Sequence, residues 1–163
     1  LHLTLAGLLV AACREGSSAA PTTVDLQPNA VVEFVIDGDT VDLIVEGVQE
    51  RTRLIGIDTP ETKKPDSPVE CFGPEATAHT ESLLPKGTAV HIERDVVARD
   101  DFGRLLVYLY RADDGLFVNL DLVAKGYAQP LTIPPNVTFA DAFVDAARAA
   151  ERSDAGLWGG CRG

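Results

Sequence analysis

VVEFVIDGDTVDLIVEG, residues 31–47, is the stretch whose reading decides the fold. Asp37, Gly38 and Asp39 interrupt two apolar runs. An Asp-Gly step there favours a hairpin turn, because glycine accepts positive φ and aspartate hydrogen-bonds its own backbone. Beyond the turn, Val41, Leu43 and Val45 alternate with Thr40, Asp42 and Ile44. Period-two counting therefore puts Asp39 on the same face as Val41, Leu43 and Val45. A carboxylate on an apolar face is costly unless something positive meets it. A metal ion or an arginine would satisfy it, and either would make the turn a site.

Further strands read outward from this hairpin. VVEFVI (31–36) and DTVDLIVEG (39–47) form its arms, and ERTRLIGID (50–58) reads as a third strand. TAVHIERDVV (88–97) and GRLLVYLYR (103–111) read as two more, joined by ARDDF. Between the third and fourth strands, PEATAHTESLL (74–84) has Pro74 at a first-turn position and a Pro-Lys-Gly stop, which predicts a short helix. Asn119 is placed to cap a second helix that ends before Gly126. Thr138 and Asp141 make a capping-box signature for a third, in which Phe139, Ala142, Phe143, Ala146, Ala147 and Ala150 share a stripe. Trp158 reads as a packing residue. The expected class is α+β: a five-stranded β-barrel of the OB-fold type with three helices packed on it, a design that carries ligands on one face and in its loops.

The composition fits one globular domain with a tail: 163 residues, 45% hydrophobic and 24% charged. A net charge of -11 argues against a protein that coats nucleic acid generally, though not against a local basic pocket. His2, His79 and His91 stand far apart in no metal-binding spacing, and neither a G-x-S-x-G nor a P-loop string is present. Residues 3–12 are almost wholly apolar and lead to Cys13. This run is too short to span a bilayer and looks like the end of a secretory signal, and VAAC resembles a bacterial lipobox. Residues 1–13 are thus expected to be a signal or lipobox remnant and 14–30 a flexible tether. The chain is expected to be exported, either secreted or held at the cell surface by lipid on Cys13. With Cys13 set aside, Cys71 and Cys161 remain as a pair, which in an oxidising compartment suggests a disulfide; two unrelated buried thiols are the alternative.

Four strings carry the chemistry: DGDT (37–40), RLIGIDTPET (53–62), FGPEA (72–76) and DDFGR (100–104). Asp39 and Asp58 sit at strand ends; two carboxylates with a backbone carbonyl and water suit a hard cation such as Ca²⁺ or Mg²⁺. Glu61 follows Asp58 across a Thr-Pro turn, and a nearby metal-bound water would be its natural target. Arg53 and Arg104 adjoin turns or strand ends, and guanidinium groups grip phosphate with two parallel hydrogen bonds. Each string also has a plain structural explanation: an Arg53–Asp58 ion pair, Glu61 capping a turn, a simple hairpin at DFGR. Together they are the parts of a site for phosphodiester hydrolysis.

IDGDTV, RLIGIDTPET, FGPEA, DDFGR and GLW follow the order and spacing of the staphylococcal nuclease (thermonuclease) family, which residues 31–160 resemble. The resemblance makes 31–163 a nuclease domain. It implies an OB-fold barrel with three helices and Ca²⁺-dependent cleavage of DNA and RNA to 3′-phosphate ends. It further implies Asp39, Asp58 and the Thr59 carbonyl as calcium ligands, Arg53 and Arg104 as phosphate-binding catalytic residues, and Glu61 as general base. Asp37 falls just outside the ligand set. A monomer is expected.

The chain also departs from the family pattern. Leu131 and Ile133 stand where the family has two tyrosines beside the nucleotide, Phe102 replaces a tyrosine, and Asp66 and Ser67 replace loop lysines. A weaker hold on the substrate is expected. The rival reading is a non-catalytic OB-fold module that binds an oligonucleotide or a protein at the cell surface. Such modules need a basic groove and stacking aromatics, whereas this chain is acidic and only 6% aromatic.

Overall fold

In the computed structural model of the chain, residues 26–63 and 68–161 are described. The expected leader, most of the tether, Cys13, Asp66 and Ser67 lie outside them.

β1 (Ala30–Val35) and β2 (Thr40–Val45) form the expected antiparallel hairpin about the Asp37–Asp39 turn. Asp37 Oδ1 accepts the Asp39 N–H at 3.2 Å, and the Ile36 N–H reaches Thr40 O at 2.9 Å. The second turn, into β3 (Val48–Leu54), takes left-handed φ at both Glu46 (52°) and Gly47 (82°), as a tight two-residue hairpin requires. β5 (Ala89–Glu93) pairs with β1 and with β6 (Leu105–Arg111), and β6 runs parallel to β3, closing a five-stranded barrel in the order β1-β2-β3-β6-β5. The barrel and its class are as expected.

The expected third strand, 50–58, is two strands. Gly56 has φ 79° and lies so close to the Phe143 ring that an added Cβ would fall 2.2 Å from a ring carbon. The chain bends there, and β4 (Gly56–Asp58) leaves the barrel to pair with β7 (Gln129–Leu131), a strand the sequence pattern did not indicate. The expected strand at 88–97 stops at Glu93. Asp95 then leaves the ladder, and its Oδ2 accepts from the Tyr108 hydroxyl at 2.9 Å and the Thr138 N–H at 3.1 Å.

The three expected helices are α1 (Gly73–Leu83), α2 (Val118–Ala124) and α3 (Ala140–Arg152); a single further turn, α4 (Leu157–Gly160), carries Trp158. Two expected caps are absent. Asn119 lies inside α2, fully buried, where its amide donates to Ile55 O and Val107 O and accepts the Leu109 N–H, tying the helix to the barrel. Thr138 does not cap α3, which begins after Phe139 without a side-chain cap. Of the α3 stripe, Phe143, Ala147 and Ala150 are buried and Ala142 is exposed. The core joins Val32, Val41, Leu43, Leu54, Val107 and Leu109 of the barrel to Leu122 and Phe143 of the helices.

Candidate active site

β2 starts, β3 ends and β6 starts at the same rim of the barrel, so residues far apart in sequence meet there. Thr40 pairs with Arg53 and Arg53 with Leu106, which brings the Asp37–Asp39 turn, Arg53 and Arg104 together. A polar cavity of about 200 Å³ opens at this rim, lined by Asp37, Asp39, Thr40, Arg53, Asp58, Thr59, Pro60, Glu61 and Arg104. All six residues expected to form the site border this one space.

Asp39 is only 6% exposed, and its Oδ2 meets the Arg53 guanidinium at 2.9 Å, the Thr59 N–H at 2.8 Å and the Thr59 hydroxyl at 2.9 Å. This is the positive partner that the apolar-face position demanded. Arg53 extends its other terminal nitrogen to Asp58 Oδ1 at 2.8 Å, so a single guanidinium bridges the two carboxylates. Arg53 Nη1 also donates to Leu54 O at 2.7 Å, which fixes the fork.

Glu61 Oε1 accepts the N–H groups of Thr62 (2.8 Å) and Lys63 (2.7 Å). Glu61 therefore caps its own turn while bordering the cavity, so its structural and chemical readings coexist. Arg104 is held by Asp100, whose Oδ2 takes the Nε–H at 2.7 Å and whose Oδ1 takes the Arg104 backbone N–H at 2.9 Å. The Arg104 guanidinium carbon lies 5.6 Å from the centre of the Phe102 ring.

Two supports escaped the sequence reading. Asp100 lies in DDFGR without an assigned role, although an aspartate opening a turn commonly accepts that turn's backbone N–H groups, as Asp100 Oδ1 does from Phe102 and Arg104. Thr80 of α1 donates its hydroxyl to Gly38 O at 2.7 Å, bracing the turn from behind, and no local pattern marks it. Gly38 itself is required by close approach, since a Cβ there would fall 2.7 Å from the Thr59 side chain.

The electrostatics favour a cation. Burial, then the neighbouring Asp39 charge, pushes the Asp37 carboxyl up. Burial raises Asp39 as well, against the opposing pull of Arg53 and the Thr59 hydrogen bonds. Asp58 is raised by desolvation at the cavity wall and by Glu70, Glu61 and Asp37, with Arg53 opposing. Four carboxylates and two guanidiniums line the cavity, and one guanidinium is already paired with Asp100. Among the described residues, no three or more His, Cys, Asp or Glu side chains form a ready metal cage. The donors are all hard oxygens in excess negative charge, which fits a divalent hard cation held by two carboxylates, a carbonyl and water.

Beside this space lies an apolar cleft of about 420 Å³, bordered by Val97, Phe102, Leu131, Ile133 and Pro134, with Arg53 and Arg104 on the shared wall. Leu131 and Ile133, the two positions where tyrosines were expected from the family pattern, thus line this cleft and not the polar cavity.

The family model for staphylococcal nuclease homologues matches residues 51–160. A thermonuclease of Staphylococcus intermedius is 36% identical over 128 residues, covering 78% of this chain and 74% of that protein. A thermonuclease of Staphylococcus hyicus is 34% identical, covering 76% of this chain and 72% of the relative. Endonuclease YncB of Bacillus subtilis (strain 168) is 34% identical, covering 80% of this chain and 61% of its own length. With this extent of matching and a barrel that gathers the shared motifs at one rim, the chain belongs to the staphylococcal nuclease family.

Proposed function

We propose that the protein is a calcium-dependent nuclease that hydrolyses phosphodiester bonds of DNA and RNA, leaving 3′-phosphate ends. The observation that carries this reading is the single cavity shared by Asp39, Asp58, Thr59, Arg53, Arg104 and Glu61. Asp39, Asp58 and the Thr59 carbonyl would hold calcium, which when bound supplies a Lewis acid for a phosphate oxygen. Arg53 and Arg104 bind the scissile phosphate and meet the charge that builds on five-coordinate phosphorus, where preorganised donors help most. Asp100 takes the Arg104 Nε and leaves the terminal nitrogens for substrate. Both internal hydrogen bonds of Glu61 fall on Oε1, so Oε2 is the atom that accepts a proton from the attacking water.

With two carboxylates in the ligand set, calcium binding falls in the weak range of about 10⁻⁴–10⁻³ M typical of extracellular sites. An exported protein would meet calcium at such levels, and a Cys71–Cys161 pair at bonding distance accords with an oxidising compartment. A lipid anchor at Cys13 completes the proposal, and mass spectrometry of the membrane fraction tests it.

The decisive experiment compares cleavage of denatured DNA with Ca²⁺ and with chelator, in the wild type and in Glu61→Ser. Cleavage that requires calcium and nearly vanishes in the variant is expected. Equal behaviour of all samples overturns the proposal.

A further inference from the structure

Glu61 and Glu70, nine residues apart in sequence, are joined through two hydrogen bonds. The Glu61 N–H donates to Glu70 Oε2 at 3.0 Å, and the Glu70 N–H donates to Glu61 O at 2.9 Å. Glu70 thus grips both polar groups of Glu61's own backbone, one with its side chain and one with its main chain. The Glu61 carboxylate is in turn fastened to the next two amides through Oε1, so its direction follows the backbone.

Glu70 is itself held from two sides. Its carbonyl accepts the Gly73 N–H at 3.1 Å at the start of α1, where packing is so close that a Cβ on Gly73 would fall 3.0 Å from Pro60 O. The adjacent residue, Cys71, is bonded to Cys161 after α4, and its neighbour Phe72 lies against Gly160. The segment after α4 thereby anchors the residues next to Glu70.

We propose that Glu70 is a positioning residue for Glu61, and that the Cys71–Cys161 bridge keeps Glu70 within reach. This rests on Glu61 acting as the base. Glu70 is not among the residues that line the polar cavity; it sets where Glu61 Oε2 points. Small errors of placement at a reacting group have large effects on rate.

The test measures kcat, KM and Tm for the whole protein on denatured DNA with Ca²⁺. Glu70→Ala should lower kcat about five- to tenfold, the worth of about one hydrogen bond, with KM within about twofold of wild type. Glu70→Gln keeps an acceptor oxygen and should recover most of that loss. The pair Cys71→Ser, Cys161→Ser should also lower kcat, and adding Glu70→Ala to it should cost less than in the wild type, because both act through one loop end. Wild-type kcat in Glu70→Ala overturns the inference, as does a Glu70→Gln variant as slow as Glu70→Ala. If Glu70→Ala fails to fold, the Cys pair variant decides: an unchanged kcat below its Tm overturns the inference. Glu61→Gln separates the two layers. If it is slow while Glu70→Ala is not, only the positioning role fails; if it retains the wild-type rate, the assignment of Glu61 as base fails with it.

Discussion

Two cavities share a wall at the barrel rim, and they are built in opposite ways. In the polar one, every expected site side chain is tied to another group: Arg53 to two carboxylates, Asp39 to Thr59, Arg104 to Asp100, Glu61 to its own loop. In the apolar cleft, Phe102 is 86% exposed and Ile133 64%. One region is tied down by hydrogen bonds and ion pairs, and the other exposes apolar side chains. Preorganised dipoles act on the chemical step, whereas an open apolar wall acts on binding. Mutations in the first should therefore change kcat, and mutations in the second should change KM.

The largest effects should come from the polar side. If Arg104 acts as proposed, Arg104→Gly removes a charge preset for the transition state and should lower kcat by about 10²–10³. A loss confined to KM would erase the contrast. The next effect concerns what holds the polar side in place. The 90-residue separation of Cys71 and Cys161 predicts that Cys71→Ser with Cys161→Ser costs on the order of 4 kcal/mol, measured by denaturant unfolding. Unchanged stability would mean that the thiols are unpaired in solution, which intact mass with and without reductant would show directly.

The apolar side offers a gain. Leu131→Tyr with Ile133→Tyr supplies stacking faces worth about 1–3 kcal/mol per base, so KM on single-stranded DNA should fall while kcat holds. An unmoved KM would mean that the cleft takes no base. The smallest effect lies away from both cavities. Hydrogen bonds from Arg51 hold the Asp42 carboxyl below its ordinary value. Its contribution is fully present above the unfolded-state value near pH 4 and is lost as pH falls through the lower folded value. Asp42→Asn should flatten the acid limb of stability by less than about 1 kcal/mol, because Arg51 is half exposed to solvent.

What was legible in the sequence had a local cause. Asp39 on an apolar face demanded a cation, and Arg53 supplies it at 2.9 Å. An even pair of cysteines suggested a bridge, and the two sulfurs lie 2.07 Å apart. The remainder was hidden because its cause is tertiary. Gln129–Leu131 holds a proline and shows no alternation; it is a strand only because the bend at Gly56 delivers β4 alongside it. Asn119 looked like a cap because asparagine favours caps, but two backbone groups of β6 and one at the bend after β3 claimed its amide. Thr80 reads as any helical threonine until Gly38 O is placed above it.

The parallel pairing of β3 with β6 has a kinetic consequence. Arg53 and Arg104 become neighbours only when these strands, distant in the chain, dock side by side. Such non-local contacts form late, after the loop-closure entropy has been overcome. Catalytic competence should thus return as one of the last events of refolding, which would make enzyme activity a sensitive clock for completion of the native topology.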